Sequence, residues 1–385
     1  MSYPDYYNLD ELYSDEEKLA RETVRSFVDD EVIPIIEKRY NEGSFPMELV
    51  SKMAELGIFG VTLAEEYGGA GMTHTMYGLV MRELERGDSA IRSFASVQNS
   101  LVIFPISQYG SDEQKKKWLP ELVSGSAIGC FGLTEPDFGS NPAGMITTAR
   151  RTEAGFVLNG AKMWITNGTI ADVAVVWAKL DGEIHGFLVE KDTPGFTAPE
   201  MKGKRSLRAS VTSELIFSDC EIPKENILNI SGIKGPLSCL NKARYGIAWG
   251  ALGAAEAVLQ ASVEYAKMRV QFGKPIGSFQ LVQEKLVWML NELTKGELLA
   301  WRLGRLMDEG KARPQQVSLA KRNNVAIALD ACRLAREIHG ANGILDEYPV
   351  MRHAANLESV KTYEGTHDIH TLILGQDLTG FSAFE

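Results

Sequence analysis

The sequence predicts a multidomain α and β protein, with a helical N-terminal domain, a central β domain and a C-terminal helix bundle. Helical periodicity with recognisable caps fills the first third, short β-rich runs replace it after Ser124-Gly125, and long apolar stripes return beyond Gly235. At 385 residues the chain exceeds one typical core and suits two or three domains. The expected boundaries are 1–125, 126–231 and 232–385, with no internal repeat and no low-complexity linker between them.

In the first domain Ser14 with Glu17 three residues on is a capping box, and Ala20, Val24, Phe27 and Ile35 follow as a helical stripe that Pro34 should kink or end. Leu49, Val50, Met53 and Leu56 form a second stripe stopped at Gly57, and Ser111 with Gln114 caps a third helix toward Leu122. In the second domain Phe156-Val157-Leu158, Asn159-Gly160 and Lys162-Met163-Trp164 read as a hairpin, because Asn-Gly suits a tight I′ turn. Further β-rich runs at 173–177, 186–189 and 214–217 complete a compact β domain of about 100 residues. In the third, Leu286, Met289, Leu290 and Leu293, then Leu303 and Leu306, mark long bundle helices.

Composition narrows the function. With 44% hydrophobic and 24% charged residues the chain is globular. Its 40 basic and 51 acidic residues leave a net charge of -11, which disfavours nucleic-acid backbones and anionic lipid surfaces, so an anionic ligand must meet a local basic patch. No apolar run approaches the ~18 residues that span a bilayer. Residues 1–9 are polar and the first basic residue is Lys18, so a signal or transit peptide is not expected. Cys130, Cys220, Cys239 and Cys332 are scattered without a C-x-x-C, which fits a reducing compartment; a cytoplasmic protein is expected, with a processed organellar form also compatible.

Neither nucleotide fingerprint is present: Gly68-Gly69-Ala70-Gly71 is not G-x-G-x-x-G, and the glycines at 155 and 160 are followed by Ala161 instead of lysine. Any redox cofactor must be held another way. The run Cys130-Phe131-Gly132-Leu133-Thr134-Glu135-Pro136-Asp137-Phe138-Gly139-Ser140 combines glycines with hydroxyls, as a loop approaching pyrophosphate and ring carbonyls requires, though an ordinary turn has the same composition. Arg269, Phe272 and Gln280 place a guanidinium and an aromatic where they can grip pyrophosphate or stack on adenine; an exposed helix-end arginine is the plainer reading. The charged segment from Arg82 to Ser96 reads as a charged helix, a charged turn and a second helix. Glu364 stands at a loop-like Glu-Gly step with Thr366 as a helix cap, and a carboxylate held there can serve as a base. His367 and His370 flank Asp368, but no third ligand cluster accompanies them, so no metal site is expected.

The string Thr362-Tyr363-Glu364-Gly365-Thr366-His367-Asp368-Ile369-His370 resembles the base-bearing segment of acyl-CoA dehydrogenases, in the wording of their glutaryl-CoA branch. The α, β, α order extends the resemblance over nearly the whole chain, implying a central β-barrel domain, a C-terminal four-helix bundle and FAD as cofactor. The resemblance casts Glu364 as the catalytic base. It places Phe131, Leu133, Thr134, Gly139 and Ser140 in the flavin loop, with Ser140 also near the thioester ligand, and Trp164, Ile165 and Thr166 in a second flavin loop. It assigns Arg269, Phe272, Gln280 and the stretch 337–343, with Glu337, Gly340 and Ala341, to the FAD of a neighbouring subunit, and makes Thr366 and Asp368 cofactor contacts. Ala341 stands where the family usually has a second glycine, and Asn141 and Lys361 also depart from its commoner residues.

On the substrate side the resemblance implies a turn from Leu240 and Asn241 to Arg244, with Tyr363 and Gly365 beside the base. Arg92, Ser93 and Ser96, supported by Glu85, match the segment that receives a distal carboxylate in the glutaryl-CoA branch; a plain acyl chain has no use for a cation at the end of an apolar pocket. Val360 and Tyr363 match the decarboxylating pattern. The expected reaction is thus oxidation and decarboxylation of glutaryl-CoA to crotonyl-CoA and carbon dioxide. The expected partners are electron-transferring flavoprotein and three further copies of the chain in a dimer of dimers. Nondecarboxylating glutaryl-CoA oxidation, butyryl-type dehydrogenation and a noncatalytic flavin-binding role are the alternatives.

Overall fold

A computed structural model describes residues 3–384. Its N-terminal part holds α1 (Asp15–Phe27), α2 (Ile33–Glu42), α3 (Leu49–Glu55), α4 (His74–Gly87), α5 (Ser89–Ser96), α6 (Phe104–Tyr109) and α7 (Asp112–Val123). The caps of α1 and α7 are the two predicted boxes: Ser14 Oγ accepts from the Glu17 amide while Glu17 returns the bond, and Ser111 and Gln114 do the same. Pro34 does not end the first helical run. The chain widens into one π-helical stretch, Val28–Val32, and restarts as α2 with Pro34 in its first turn, where no amide donor is needed. The second stripe is also shorter than expected, since Leu49, Val50 and Met53 are buried but Leu56 turns outward as the helix closes at Gly57.

The segment with the composition of a solvated helix pair, α4 through α5, lies in the interior instead. Arg82, Glu83, Glu85, Asp88 and Arg92 are all buried. Burial is tolerated because the charges pair: Arg82 bonds Glu256 and Glu297 at 2.8 and 2.7 Å, and Arg352 bonds Asp88 at 2.5 Å while Asp88 caps α5 through the Ala90 amide.

The middle of the chain forms β1 (Gly129–Gly132), β2 (Thr148–Arg151), β3 (Gly155–Thr166), β4 (Val173–Leu180), β5 (Glu183–Glu190), β6 (Phe196–Thr197), β7 (Thr212–Pro223) and β8 (Ile227–Ser231). The eight strands make one sheet in the order β6-β7-β3-β2-β4-β5-β8, with β1 parallel to β4 and edges at β6 and β8. The predicted hairpin at Asn159-Gly160 is absent: β3 runs straight through it, with a register shift against β7 between Leu158 and Gly160. A Cβ on Gly160 would stand 2.8 Å from Thr147 Cα, so this glycine serves a close backbone approach at a bulge. The tight reversal lies instead at Asp181-Gly182, both with positive φ, between β4 and β5. Alternation along β4 sends Ala174, Val176, Ala178 and Leu180 into the sheet's own core and Val173, Val175 and Trp177 toward the helices.

The C-terminal part comprises α8 (Lys234–Met268), the small hairpin β9 (Val270–Gln271) and β10 (Lys274–Pro275), α9 (Gln280–Asp308), α10 (Pro314–His339), α11 (Val350–Thr362) and α12 (His367–Thr379). Helix α10 packs against α8, α9, α11 and α12, while α8 lies along α4. One hydrophobic core runs through both helical regions, which holds α5, α8, α10 and the end of α11 in fixed relation.

Candidate active site

Just past the end of α11, the carbonyls of residues 363–365 are taken by two cations from other helices. Lys321 on α10, only 1% exposed, donates to the carbonyls of Tyr363, of Glu364 at 3.3 Å and of Gly365 at 2.7 Å. Arg244 on α8 donates its Nε to the Glu364 carbonyl at 2.8 Å and faces Asn241 Oδ1 at 3.4 Å. This grip holds Glu364 at φ +53°, a left-handed conformation uncommon for a residue with a side chain, ahead of Gly365 at φ +92°. Thr366 then caps α12 by accepting from the Ile369 amide.

The Glu364 Oε2 atom is buried without a hydrogen-bond partner. Burial raises its pKa, opposed by the Lys321, Arg92 and Arg244 charges, which leaves a carboxylate disposed to take a proton. Burial also lowers the Lys321 pKa to about 7 and the His370 pKa to about 2, so His370 on α12 stays neutral.

Arg92 lies beside this base. Its Nε donates to Glu85 at 2.6 Å, one Nη contacts the Tyr363 hydroxyl, and the other Nη is buried and unpartnered. Burial works against the cation, but the Glu85 carboxylate keeps its pKa raised. Ser89 orients Glu85 at 2.8 Å. Gly250 on α8 makes room for the pair, since a Cβ there would fall 2.1 Å from Glu85 Oε2. Ser96 has a buried, unpartnered hydroxyl, and Ser93 is buried without a hydrogen bond to Arg92 among the described residues. Thus Glu85, Arg92, Tyr363, Glu364, Gly365, Asn241 and Arg244 are linked directly, with Leu240 buried near the last two on α8.

The two expected flavin loops meet through the backbone: the Met163 amide donates to the Thr134 carbonyl at 2.8 Å. Trp164 is 59% exposed with φ +63°, at a second register shift in β3, so it is no core aromatic but a flat indole held at the surface. Gly139 and Ser140 are exposed, and a Cβ on Gly139 would meet nothing within 4 Å, so the backbone there is open to close approach. Thr134 and Thr166 are half-buried. Phe131 packs on Trp177 in the core, and Leu133 and Ile165 are buried. The glycines, hydroxyls and exposed indole suit a flavin.

The bundle residues stand apart from this group. Arg269 and Gln280 are exposed, Phe272 is 93% exposed at φ +54°, and Glu337 pairs with Lys285 at 2.6 Å. Gly340, Ala341 and Asp368 are exposed. Among the described residues no hydrogen bond or ion pair joins Arg269, Phe272, Gln280 or Glu337 to Trp164 or Glu364.

Two lysines escaped the sequence reading. Lys321 follows Val317 and Ala320 and precedes Asn324 and Ala328 on the buried stripe of α10, and a charge on an apolar stripe is the signal that could have revealed it. Lys162 is fully buried in β3 and bonds Glu135 at 2.8 Å, while Glu135 accepts from the Ile146 and Thr147 amides at 2.6 and 2.9 Å. That ion pair pins the loop after β1 against β3.

Comparison with known proteins identifies the family. Residues 14–126, 130–220 and 231–379 match the N-terminal, middle and C-terminal domains of acyl-CoA dehydrogenase. A crystal structure of glutaryl-CoA dehydrogenase from Mycobacterium smegmatis is 54% identical, with a TM-score of 0.96 and 98% of each chain covered. A second structure of a glutaryl-CoA dehydrogenase from that organism, in complex with FADH2, is 52% identical over 98% of each chain with a TM-score of 0.97. The mitochondrial short-chain specific acyl-CoA dehydrogenase of Rattus norvegicus is 38% identical over 94% of this chain and 89% of its own. With all three domains matched and these identities spanning nearly its full length, the chain belongs to the acyl-CoA dehydrogenase family.

Proposed function

We propose that this FAD-dependent acyl-CoA dehydrogenase oxidises glutaryl-CoA and decarboxylates it to crotonyl-CoA and carbon dioxide. The observation that carries the substrate assignment is Arg92, fully buried, with one Nη and the nearby Ser96 hydroxyl left without partners. Such donors suit a carboxylate at the far end of an acyl chain. The 54% identity to a glutaryl-CoA dehydrogenase, against 38% to a short-chain specific enzyme, supports the same reading.

Glu364 takes the proton alpha to the thioester. Arg244 holds its backbone through the Glu364 carbonyl, and burial raises its proton affinity toward that of the carbon acid. FAD, when bound, supplies the acceptor for the hydride from the beta carbon. Trp164, Thr134 and Thr166 would flank it, with Gly139 and Ser140 toward its phosphates. Arg92 fixes the distal carboxylate until the enoyl thioester forms; carbon dioxide then leaves as its bonding pair spreads into the thioester carbonyl, and protonated Glu364 returns a proton to carbon. Electron-transferring flavoprotein is the proposed acceptor, and a cytoplasmic homotetramer, built as a dimer of dimers, the proposed assembly. Among the described residues no helix is long and apolar enough to cross a membrane.

One observation favours a second reading, dehydrogenation of a short uncharged chain: Glu85 already pairs with Arg92 at 2.6 Å. Anaerobic incubation with glutaryl-CoA and with butyryl-CoA, followed by mass analysis, separates the outcomes. Crotonyl-CoA with stoichiometric carbon dioxide from glutaryl-CoA is expected. Glutaconyl-CoA without carbon dioxide would place the enzyme in the nondecarboxylating branch, and reaction with butyryl-CoA alone would make it a short-chain dehydrogenase.

A further inference from the structure

Lys321 is a buried cation with three backbone carbonyls as hydrogen-bond partners and, among the described residues, no carboxylate within ion-pair distance. A lysine in such a place costs free energy on desolvation, and a neutral donor would serve if carbonyl bonding were its whole purpose. Its partners are the carbonyls of Tyr363, Glu364 and Gly365, the residues that carry the left-handed turn at the base. We propose that Lys321 is a positioning residue for Glu364, clamping the turn that aims the carboxylate and supplying the charge that keeps it ionised. This rests on the reading of Glu364 as the base.

The electrostatic surroundings of the carboxylate single out this lysine. Arg92 from α5 and Arg244 from α8 also favour the ionised form, but Arg92 is already paired with Glu85. Tyr363 and Tyr77 are neutral phenols whose pKa values burial pushes up, and His370 from α12 is neutral. Lys321 is the largest single influence opposing the burial of Glu364. The Lys321 ammonium in turn feels Glu364 as its one favourable charge, against Arg244 and Arg92. Burial lowers the Lys321 pKa to about 7 and raises that of Glu364, and each charge favours the ionised form of the other.

Lys321→Gln tests this, because an amide keeps donors for the carbonyls and removes the charge. In flavin-loaded Lys321→Gln the acid limb of the kcat/KM profile, which reports the free enzyme, should move upward by about 1 pH unit or more. At pH 6 flavin reduction should slow about tenfold or more, and a large part of that loss should return at pH 8.5. Lys321→Met, which removes the clamp as well, should show the same shift plus a pH-independent fall in kcat with little change in KM. An unmoved acid limb in intact Lys321→Gln flavoprotein overturns the proposal. Failure of both variants to load flavin would make Lys321 a folding residue and overturns it equally. Glu364→Gln, run alongside, keeps the two readings distinct: it should bind acyl-CoA and lose flavin reduction by several orders of magnitude at every pH. Near-normal reduction there would remove Glu364 as the base, whatever the lysine variants do.

Discussion

Arg92 shows how much a single residue can decide, because beyond its pair with Glu85 it has an unpartnered Nη that a carboxylate at the end of the acyl chain would use. Removing one partner of a buried, hydrogen-bonded charge pair costs about 2–5 kcal/mol, so Arg92→Ala should lower kcat/KM for glutaryl-CoA by roughly tens to thousands of fold. Butyryl-CoA, with no distal charge, should lose far less; equal losses on both substrates would show that Arg92 merely supports the fold through Glu85. The presence of Arg92, Glu364 and Arg244 was legible in the sequence, since each sits in a short recognisable string. What those strings could not show is burial. The segment around Arg92 has the composition of a solvated helix pair, and its charges are interior only because partners such as Glu256, Glu297 and Arg352 arrive from distant helices.

Among the elements, strand β3 departs most from its sequence signals. Asn159-Gly160 has the composition of a tight turn, but β7 on one side and Thr147 on the other keep the strand extended, so a local propensity of about 1 kcal/mol yields to ladder bonds and packing along its length. The continuity has a consequence for the cofactor loops, because it brings Lys162 under Glu135. Lys162→Met would remove the cation from a buried carboxylate that keeps its two amide donors, and should reduce stability by about 1.5–3 kcal/mol, seen in urea unfolding, with weaker FAD retention as the loop after β1 loosens. An unchanged urea midpoint with full flavin content would remove the ion pair from the account of the loop. Burial works against the Glu135 carboxylate, but the Ile146 and Thr147 contacts and Lys162 outweigh it and hold its pKa below the usual range. Its stabilisation is therefore complete above the ordinary carboxylate pKa and is lost as pH falls through the lowered one; Glu135→Gln should flatten that acid-side loss.

The whole molecule carries the remaining expectation, a homotetramer in which FAD bridges subunits. Phe272, its ring edge-on to Phe279 at 6.0 Å between centroids, and Arg269 are displayed on the bundle surface, where a ligand or a second chain can reach them. Arg269→Ala should weaken both FAD retention and association, because a cofactor held across an interface stabilises it by linkage. Light scattering at micromolar concentration reads the association directly, and a fully flavin-loaded monomer would rule out the shared site. Sequence by itself determined the order of helical and β regions, the caps of α1 and α7, and the strings that carry Glu364, Arg92 and the exposed Trp164. These depend on residues within one or two turns of each other, where periodicity and capping act. Tertiary structure alone decided that Lys321 holds the turn of Glu364 from 43 residues away, that Arg244 reaches it across 120, and that Tyr363 meets Arg92 across 271. Such contacts are set by how helices and sheet bury one continuous core, a property of the folded chain that no local stretch of residues contains.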